Sequence, residues 1–313
     1  MKQTGSTAFR IEELAPGVHA AIAEAGGDAL SNSTIVDLGD ATVVFDSMLT
    51  PHAGAELGRA ARRLTGRPPD FVVDSHYHHD HVWGNGAVAP LHVIATRRTR
   101  DLLARRGRDQ FLSIRREVRK ELHQLDATDS PVPVRDRPFF RGWYRGIARM
   151  PPGFTARVPD MTMETELTLH GSRRTLRLIS RGGGHSPSDL FGIVEDHRIG
   201  MMGDLVFVGM HPSAGDGYPS EWIRILRAIR RIGPQRIVPG HGPVGGDRDV
   251  ARVQEYLRDI LRLVRRAETL GEPLSSIAVP PKYRAWTGTP FFASNLARVR
   301  TQLRREARPR ATG

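Results

Sequence analysis

The chain has 313 residues, 39% of them hydrophobic, enough for one large core with additions or for two modest ones. Without cysteine it can form no disulfide scaffold, thiolate nucleophile or cysteine-based zinc site, so any metal must be held by His, Asp, Glu or backbone oxygen. A net charge of +12 invites a nucleic-acid partner, but the 46 basic residues are arginines apart from Lys2, Lys120 and Lys282, and they are scattered as solvated helix faces rather than gathered in a stripe.

The first third alternates short β-branched runs with turns. GVHAAIAE, STIVDLG and ATVVFDS read as strands of a meander or hairpin. From His52 to Thr65 the residues Ala53, Leu57, Ala60, Ala61 and Leu64 recur at helical spacing, and Gly66 and Pro68 stop the pattern. Phe71-Val72-Val73 is a short buried strand that feeds directly into the polar loop Asp74 to His81.

A helix over Asp109–Leu125 belongs to an insertion placed at about 97–160. Its remainder, 126–160, is rich in Pro, Arg and aromatic residues without periodicity, and reads as an irregular segment that either covers the site as a lid or packs onto the body. The second half repeats the plan, with strands around 174–180, 190–195 and 198–203, a helix over Pro219–Ile232 and a strand over Arg236–Pro239. Helices over Asp249–Leu270 and Pro290–Arg305 form a C-terminal extension at about 249–313, whose Arg-rich end is expected to fray. Strand and helix blocks that occur twice imply an α+β fold: an αββα sandwich of two mixed sheets with helices on the outer faces, in a single domain over 1–313. No apolar run reaches membrane-spanning length and the N-terminus MKQTGSTAFR lacks the apolar stretch of a signal peptide, so the expected location is the cytoplasm, away from membranes.

The chemistry concentrates in His76-x-His78-x-Asp80-His81, four possible ligands in six residues at the end of a strand. Imidazole nitrogen and carboxylate oxygen suit zinc, iron or manganese. Two His separated by one extended residue project the same way, which leaves Tyr77 and His79 pointing away from them, with Tyr77 still near enough to the site to contact a substrate. Further on come Arg181-Gly182-Gly183-Gly184-His185-Ser186-Pro187-Ser188-Asp189, Gly203-Asp204 and Val238-Pro239-Gly240-His241-Gly242, each with one ligand-type residue at a glycine-marked strand end.

In this order the motifs resemble those of the metallo-β-lactamase superfamily over roughly residues 17–245, and the ordered set is far more specific than any one of them. The resemblance implies a glyoxalase-II-like pair of divalent ions, zinc foremost, with iron or manganese as alternatives. His76, His78 and His185 would bind one ion, Asp80, His81 and His241 the other, and Asp204 would join the two. A hydroxide bridging the ions would be the nucleophile, with Asp80 also orienting or deprotonating the water. Asp46 would support the metal loop, while Asp189 would either orient a ligand or cap a turn. His211 is either a lining residue of the pocket or a solvated loop residue. Asp204 and the missing cysteine separate the chain from lactamases that use a cysteine ligand and from those that lack the bridging carboxylate. The expected activity is therefore hydrolysis of an ester, thioester, lactone or related bond in a small molecule. Rival readings are a one-iron, persulfide-dioxygenase-like oxidoreductase using His76, His185 and Asp204, and a nuclease, disfavoured because no recognition arm is evident. A non-catalytic binding role is disfavoured by the complete ligand set.

Overall fold

The structure is a computed structural model that describes residues 7–306. The end expected to fray falls on 307–313, outside the described residues. Strands β1 (Phe9–Ala15), β2 (Val18–Ala23), β3 (Ser33–Asp37) and β4 (Thr42–Phe45) form an antiparallel meander. Helix α1 (Pro51–Thr65) then crosses over to β5 (Phe71–Val73), which pairs parallel to β4. Thr50 caps the start of α1 by accepting from the Ala53 amide, Pro51 occupies its first turn and Gly66 ends it in the left-handed conformation. Two single-turn helices, α2 (His79–Val82) and α3 (Asn85–Val88), lead to β6 (His92–Thr96). The insertion follows as α4 (Arg97–Asp126) and α5 (Arg137–Arg149), before β7 (Met161–Met163) completes a seven-stranded mixed sheet in the order β1 to β7.

The second sheet has five strands, β8 (Glu166–His170), β9 (Thr175–Ser180), β10 (Leu190–Val194), β11 (Ile199–Phe207) and β12 (Arg236–His241), antiparallel except where β11 meets β12. Helix α6 (Pro219–Ile232) makes that parallel crossover, and α7 (Asp247–Leu270) and α8 (Pro290–Glu306) complete the outer layer.

Side-chain alternation along the strands explains the layering. Val36, Val43 and Phe45 face inward to meet Leu176, Leu178, Leu190, Val194 and Met201 of the other sheet. Their neighbours Ile35 and Val44 face outward, where Ala53, Leu57, Ala60 and Ala61 of α1 cover them. On the far side Phe191, Ile193 and Met202 take Trp222, Leu226 and Ile229 of α6, with Val253 and Leu257 of α7. Two mixed sheets with helices outside are the α+β sandwich expected from the sequence.

Two elements differ from that expectation. The insertion's helix α4 is 30 residues long, beginning at Arg97 rather than near Asp109, and the stretch read as irregular contains α5. Glycines disguise α5: Gly142 and Gly146 lower helix propensity, but a β-carbon at Gly142 would collide with the Gly27 carbonyl, so the helix lies flush on the Gly26-Gly27 loop only because glycine is there. Strands β1, β6, β7 and β8 carry no clear sequence signal. Of these β1, β7 and β8 are sheet edges: charged residues break the apolar alternation in β1 and β8, and β7 is only three residues long. Among the described residues no helix is long and apolar enough to cross a membrane.

Candidate metal centre

Strand β5 ends at Val73, and His79–Val82 closes as one helical turn, so the chain bends around a single point. The bend turns His76, His78, Asp80 and His81 toward that point. From the other sheet, His185 follows the glycine run after β9, Asp204 lies within β11 and His241 ends β12. Since β11 and β12 are parallel neighbours, Asp204 and His241 stand side by side.

All seven predicted ligands meet, and they do so in two groups. His76, His78, His185 and Asp204 form one, and Asp80, His81 and His241 the other, with the ligand atoms of each group within 4.8 Å of one another. Asp204 stands between them. Its Oδ2 is 3.2 Å from His185 Nε2 and 4.0 Å from His76 Nε2. Its Oδ1 is 3.1 Å from His81 Nε2 and 3.3 Å from His241 Nε2. Asp80 Oδ2 lies 3.3 Å from His241 Nε2 and 3.6 Å from His81 Nε2.

Outer partners decide which nitrogen of four rings faces inward. Ser75 Oγ is 2.9 Å from His76 Nδ1, Asp216 Oδ1 is 3.2 Å from His78 Nε2, Asp46 Oδ2 is 2.8 Å from His81 Nδ1 and the Leu30 carbonyl is 3.1 Å from His241 Nδ1. Each contact leaves the opposite nitrogen for the group, which is how proteins orient metal-binding imidazoles. His76 Nε2, His81 Nε2 and Asp204 Oδ1 are buried without a hydrogen-bond partner among the described residues. Buried polar atoms of this kind are costly unless something coordinates them, and a nitrogen and oxygen donor set fits a divalent cation.

Electrostatics agree. Burial would push Asp80 and Asp204 up, but His81 and His241 outweigh it and hold both carboxyls below their usual range. Burial likewise opposes charge on His81 and His241, yet Asp204, Asp46 and Asp80 raise His81 well above the ordinary histidine value, and Asp204 and Asp80 lift His241 to about 9. In the first group burial prevails at two rings: His76, where neighbouring imidazoles add to it, falls well below the usual value and His185 falls to about 4, whereas at His78 burial is outweighed by Asp216, Asp80 and Asp204, which raise it.

The supporting carboxylates act differently from each other. Asp46 adopts φ 62°, tolerated by Asp more readily than by most residues, and so swings beneath the loop to accept from the Ser75 amide (2.7 Å), the Ser75 hydroxyl (2.8 Å) and His81. Asp189 touches no imidazole. It accepts from the amides of Gly184 (2.6 Å) and Ser186 (3.1 Å), so it shapes the turn that presents His185. Burial raises its carboxyl to about 7 against these hydrogen bonds.

Over the centre opens a cavity of about 300 Å³, lined by the ligands His78, Asp80, His185, Asp204 and His241, by Leu30, Phe207 and Met210, and by Phe139 and Trp143 from α5. Of the insertion's aromatic residues, Phe111 and Phe154 pack with Trp83, Ile147 and Met150, while Phe139 and Trp143 line the cavity.

Residues 26–241 match the family described as the metallo-beta-lactamase superfamily. The chain belongs to the metallo-beta-lactamase superfamily. It is accordingly a metallohydrolase whose His and Asp groups suit divalent ions. No curated protein matches this superfamily member. Among solved structures it is similar to a metallo-beta-lactamase from Pontibacter korlensis, at 17% identity and a TM-score of 0.59 over 80% of this chain and 99% of that one. A metallo-beta-lactamase from Hirschia baltica is also similar, at 17% identity and a TM-score of 0.56 over 80% of this chain and 97% of that one. At such identity the likeness concerns the fold.

Several site residues of this metallohydrolase carry no motif. Asp216, in the loop before α6, contacts His78 and accepts from the Tyr77 hydroxyl, and Arg298 of α8 donates to the carbonyls of Asp216 (3.1 Å) and Gly217 (2.8 Å). Ser31 donates to the Asp80 carbonyl at 2.5 Å, and the Asn32 amide group donates to the carbonyls of Pro239 (2.9 Å) and Gly242 (2.8 Å), which bolts the His241 loop to the first sheet. His79, expected to point away from the ligands, lines the cavity because the helical turn that begins there ends the extended alternation, and Tyr77 lines it as well, in reach of a substrate. His211 neither lines the cavity nor meets solvent: it is buried among Tyr256, Trp286 and Phe292.

Proposed function

We propose that the chain is a dinuclear hydrolase that cleaves an ester, thioester or lactone bond of a small, largely apolar molecule. The observation that carries this reading is the division of Asp204, one oxygen toward each group of imidazoles. It supports one ion held by His76, His78, His185 and Asp204 and a second by Asp80, His81, His241 and Asp204, zinc foremost. When bound, such a pair brings the pKa of a water toward neutrality and neutralises negative charge that develops on an attacked carbonyl. Asp80, its backbone fixed by Ser31, is placed to orient that water and take up its proton. Among the described residues that line the cavity none is Arg or Lys, so a phosphodiester would have counter-charge from the ions alone and no basic side chain to hold it, despite the basic chain. A one-iron oxidoreductase would need only His76, His185 and Asp204, and would leave the buried Asp80, His81 and His241 without a cation.

Elemental analysis of the purified protein, with a panel of ester, thioester, lactone, β-lactam and phosphodiester substrates, tests the proposal. The expected result is about two transition ions per chain, with acyl-bond hydrolysis that chelation abolishes. One iron per chain with thiol-dependent oxygen uptake overturns it.

A further inference from the structure

One wall of the cavity is polar yet unpaired. His79 on α2 is 9% exposed, its ring 4.9 Å from that of Trp83 and 5.4 Å from the nearly parallel ring of Trp143. Neither of its nitrogens has a hydrogen-bond partner among the described residues, and the same holds for Trp143 Nε1 on α5 and Gln110 Oε1 on α4. All three side chains line the cavity that contains Asp80, His185, Asp204 and His241. Folded proteins leave few buried polar atoms unpaired, because each gives up its hydrogen bonds to water with nothing in exchange. Here four such atoms, contributed by three separate elements, belong to side chains that line one cavity. The other walls are apolar, with Leu30, Phe207, Met210 and Phe291.

We infer that His79, Gln110 and Trp143 form a recognition subsite for an uncharged hydrogen-bonding group, an amide or a hydroxyl, carried on the acyl chain of the substrate away from the bond that is cut. This deepens the hydrolase reading and rests on it for the placement of the reacting bond. The indole N–H of Trp143 only donates, Gln110 Oε1 only accepts, and an imidazole offers one of each when neutral. The complementary group must therefore both accept and donate, as an amide or hydroxyl does and a ketone, ether or alkyl chain does not. A charged group is disfavoured, since this wall has no ion of opposite sign to offset its desolvation.

Two unreactive acids of equal chain length, hexanoate and N-acetyl-β-alanine, test the subsite without any turnover. Each is titrated calorimetrically into metal-loaded wild type, His79→Phe and Trp143→Phe, and the ratio of the hexanoate Kd to the N-acetyl-β-alanine Kd is compared. Both variants keep an aromatic ring and remove hydrogen-bonding nitrogen. The ratio is expected to fall about fivefold or more in each. A ratio within about twofold of wild type in both, below the effect of one lost hydrogen bond, overturns the subsite. Circular dichroism checks folding, and if His79→Phe does not fold, Trp143→Phe decides alone. The p-nitrophenyl esters of the same acids test the hydrolase reading separately: failure to cleave either overturns that reading and leaves the ratio measurement intact.

Discussion

Replacing Asp216 by Asn should loosen one metal group and spare the other. The carboxylate accepts from Tyr77 and lies 3.2 Å from His78 Nε2, which turns His78 Nδ1 toward His185 Nε2, 2.9 Å away. An Asn keeps the size but loses the charge and one of the two acceptor oxygens, so it can no longer accept from both Tyr77 and His78 and holds the His78 ring and its tautomer less firmly. Charge-assisted hydrogen bonds contribute about 1.5–3 kcal/mol each. The Asp216 side chain is 33% exposed, so solvent screening lowers the figure to about 1–2 kcal/mol, or a roughly 5- to 30-fold loss of affinity. The loss falls on the group of His76, His78 and His185, because Asp80, His81 and His241 make no contact with Asp216. Competition against a chromophoric chelator should therefore show one weakened site and one unchanged, and cobalt substitution should alter a single set of absorption bands. Equal weakening of both sites, or no weakening while Tyr77→Phe is equally silent, would refute the argument that Asp216 acts by orienting His78.

Other outcomes follow from the same geometry. Prolonged chelation should abolish hydrolysis and lower the Tm, with both restored by divalent ions; undiminished activity in metal-free protein would refute the mechanism. Asp80→Ala should cut kcat by about a hundredfold or more, the order of a lost proton-transfer group, and a near-normal rate would remove Asp80 from that role. Gly240→Ala should empty the centre even though its backbone φ is not left-handed, because a β-carbon there would collide with Asp204 Oδ1; full metal content in the folded variant would contradict it. His211 is held down to about 4 mainly by burial, against an ordinary 6.5, so acid protonates the unfolded chain first. Its contribution is present above pH 6.5 and is lost as pH falls toward 4, by roughly 3 kcal/mol over that window. Denaturant unfolding of metal-free protein at pH 7 and 4.5 should show a smaller drop for His211→Asn than for wild type, and equal drops would rule the effect out.

What the sequence shows well is whatever is local. His76 to His81 fall in one short run, and the ligands at 185, 204 and 241 each sit beside glycine, so their spacing is visible without a fold, although Asp204 lies within β11 rather than at the strand end its motif suggested. Asp216 is not visible in that way: its importance comes from α8, whose Arg298 fixes a loop far away in sequence, and nothing around GDGY marks it. Ser31 and Asn32 likewise matter because distant carbonyls at 80, 239 and 242 arrive beside them. Helix α5 was masked by glycines that close packing demands, and His211 by apolar partners contributed from α7 and α8. Reading His79 as outward-facing failed for a different reason, since one helical turn replaced the extended chain that strict alternation assumes.

The centre also spans the sandwich, with four of its ligands on loops of the first sheet and three on the second. His78 and His185, 107 residues apart, bring ring nitrogens within 2.9 Å only when the sheets are docked. Closing so long a segment in a free chain is entropically unfavourable, and here the β-sandwich has closed it in advance. Any ion gripped from both sides works in return as a reversible latch across the inter-sheet seam, stabilising the docked form by mass action. Substitutions that loosen the packing of Val43, Leu178 or Val238 should therefore reveal themselves first as leakage of metal, well before the protein unfolds.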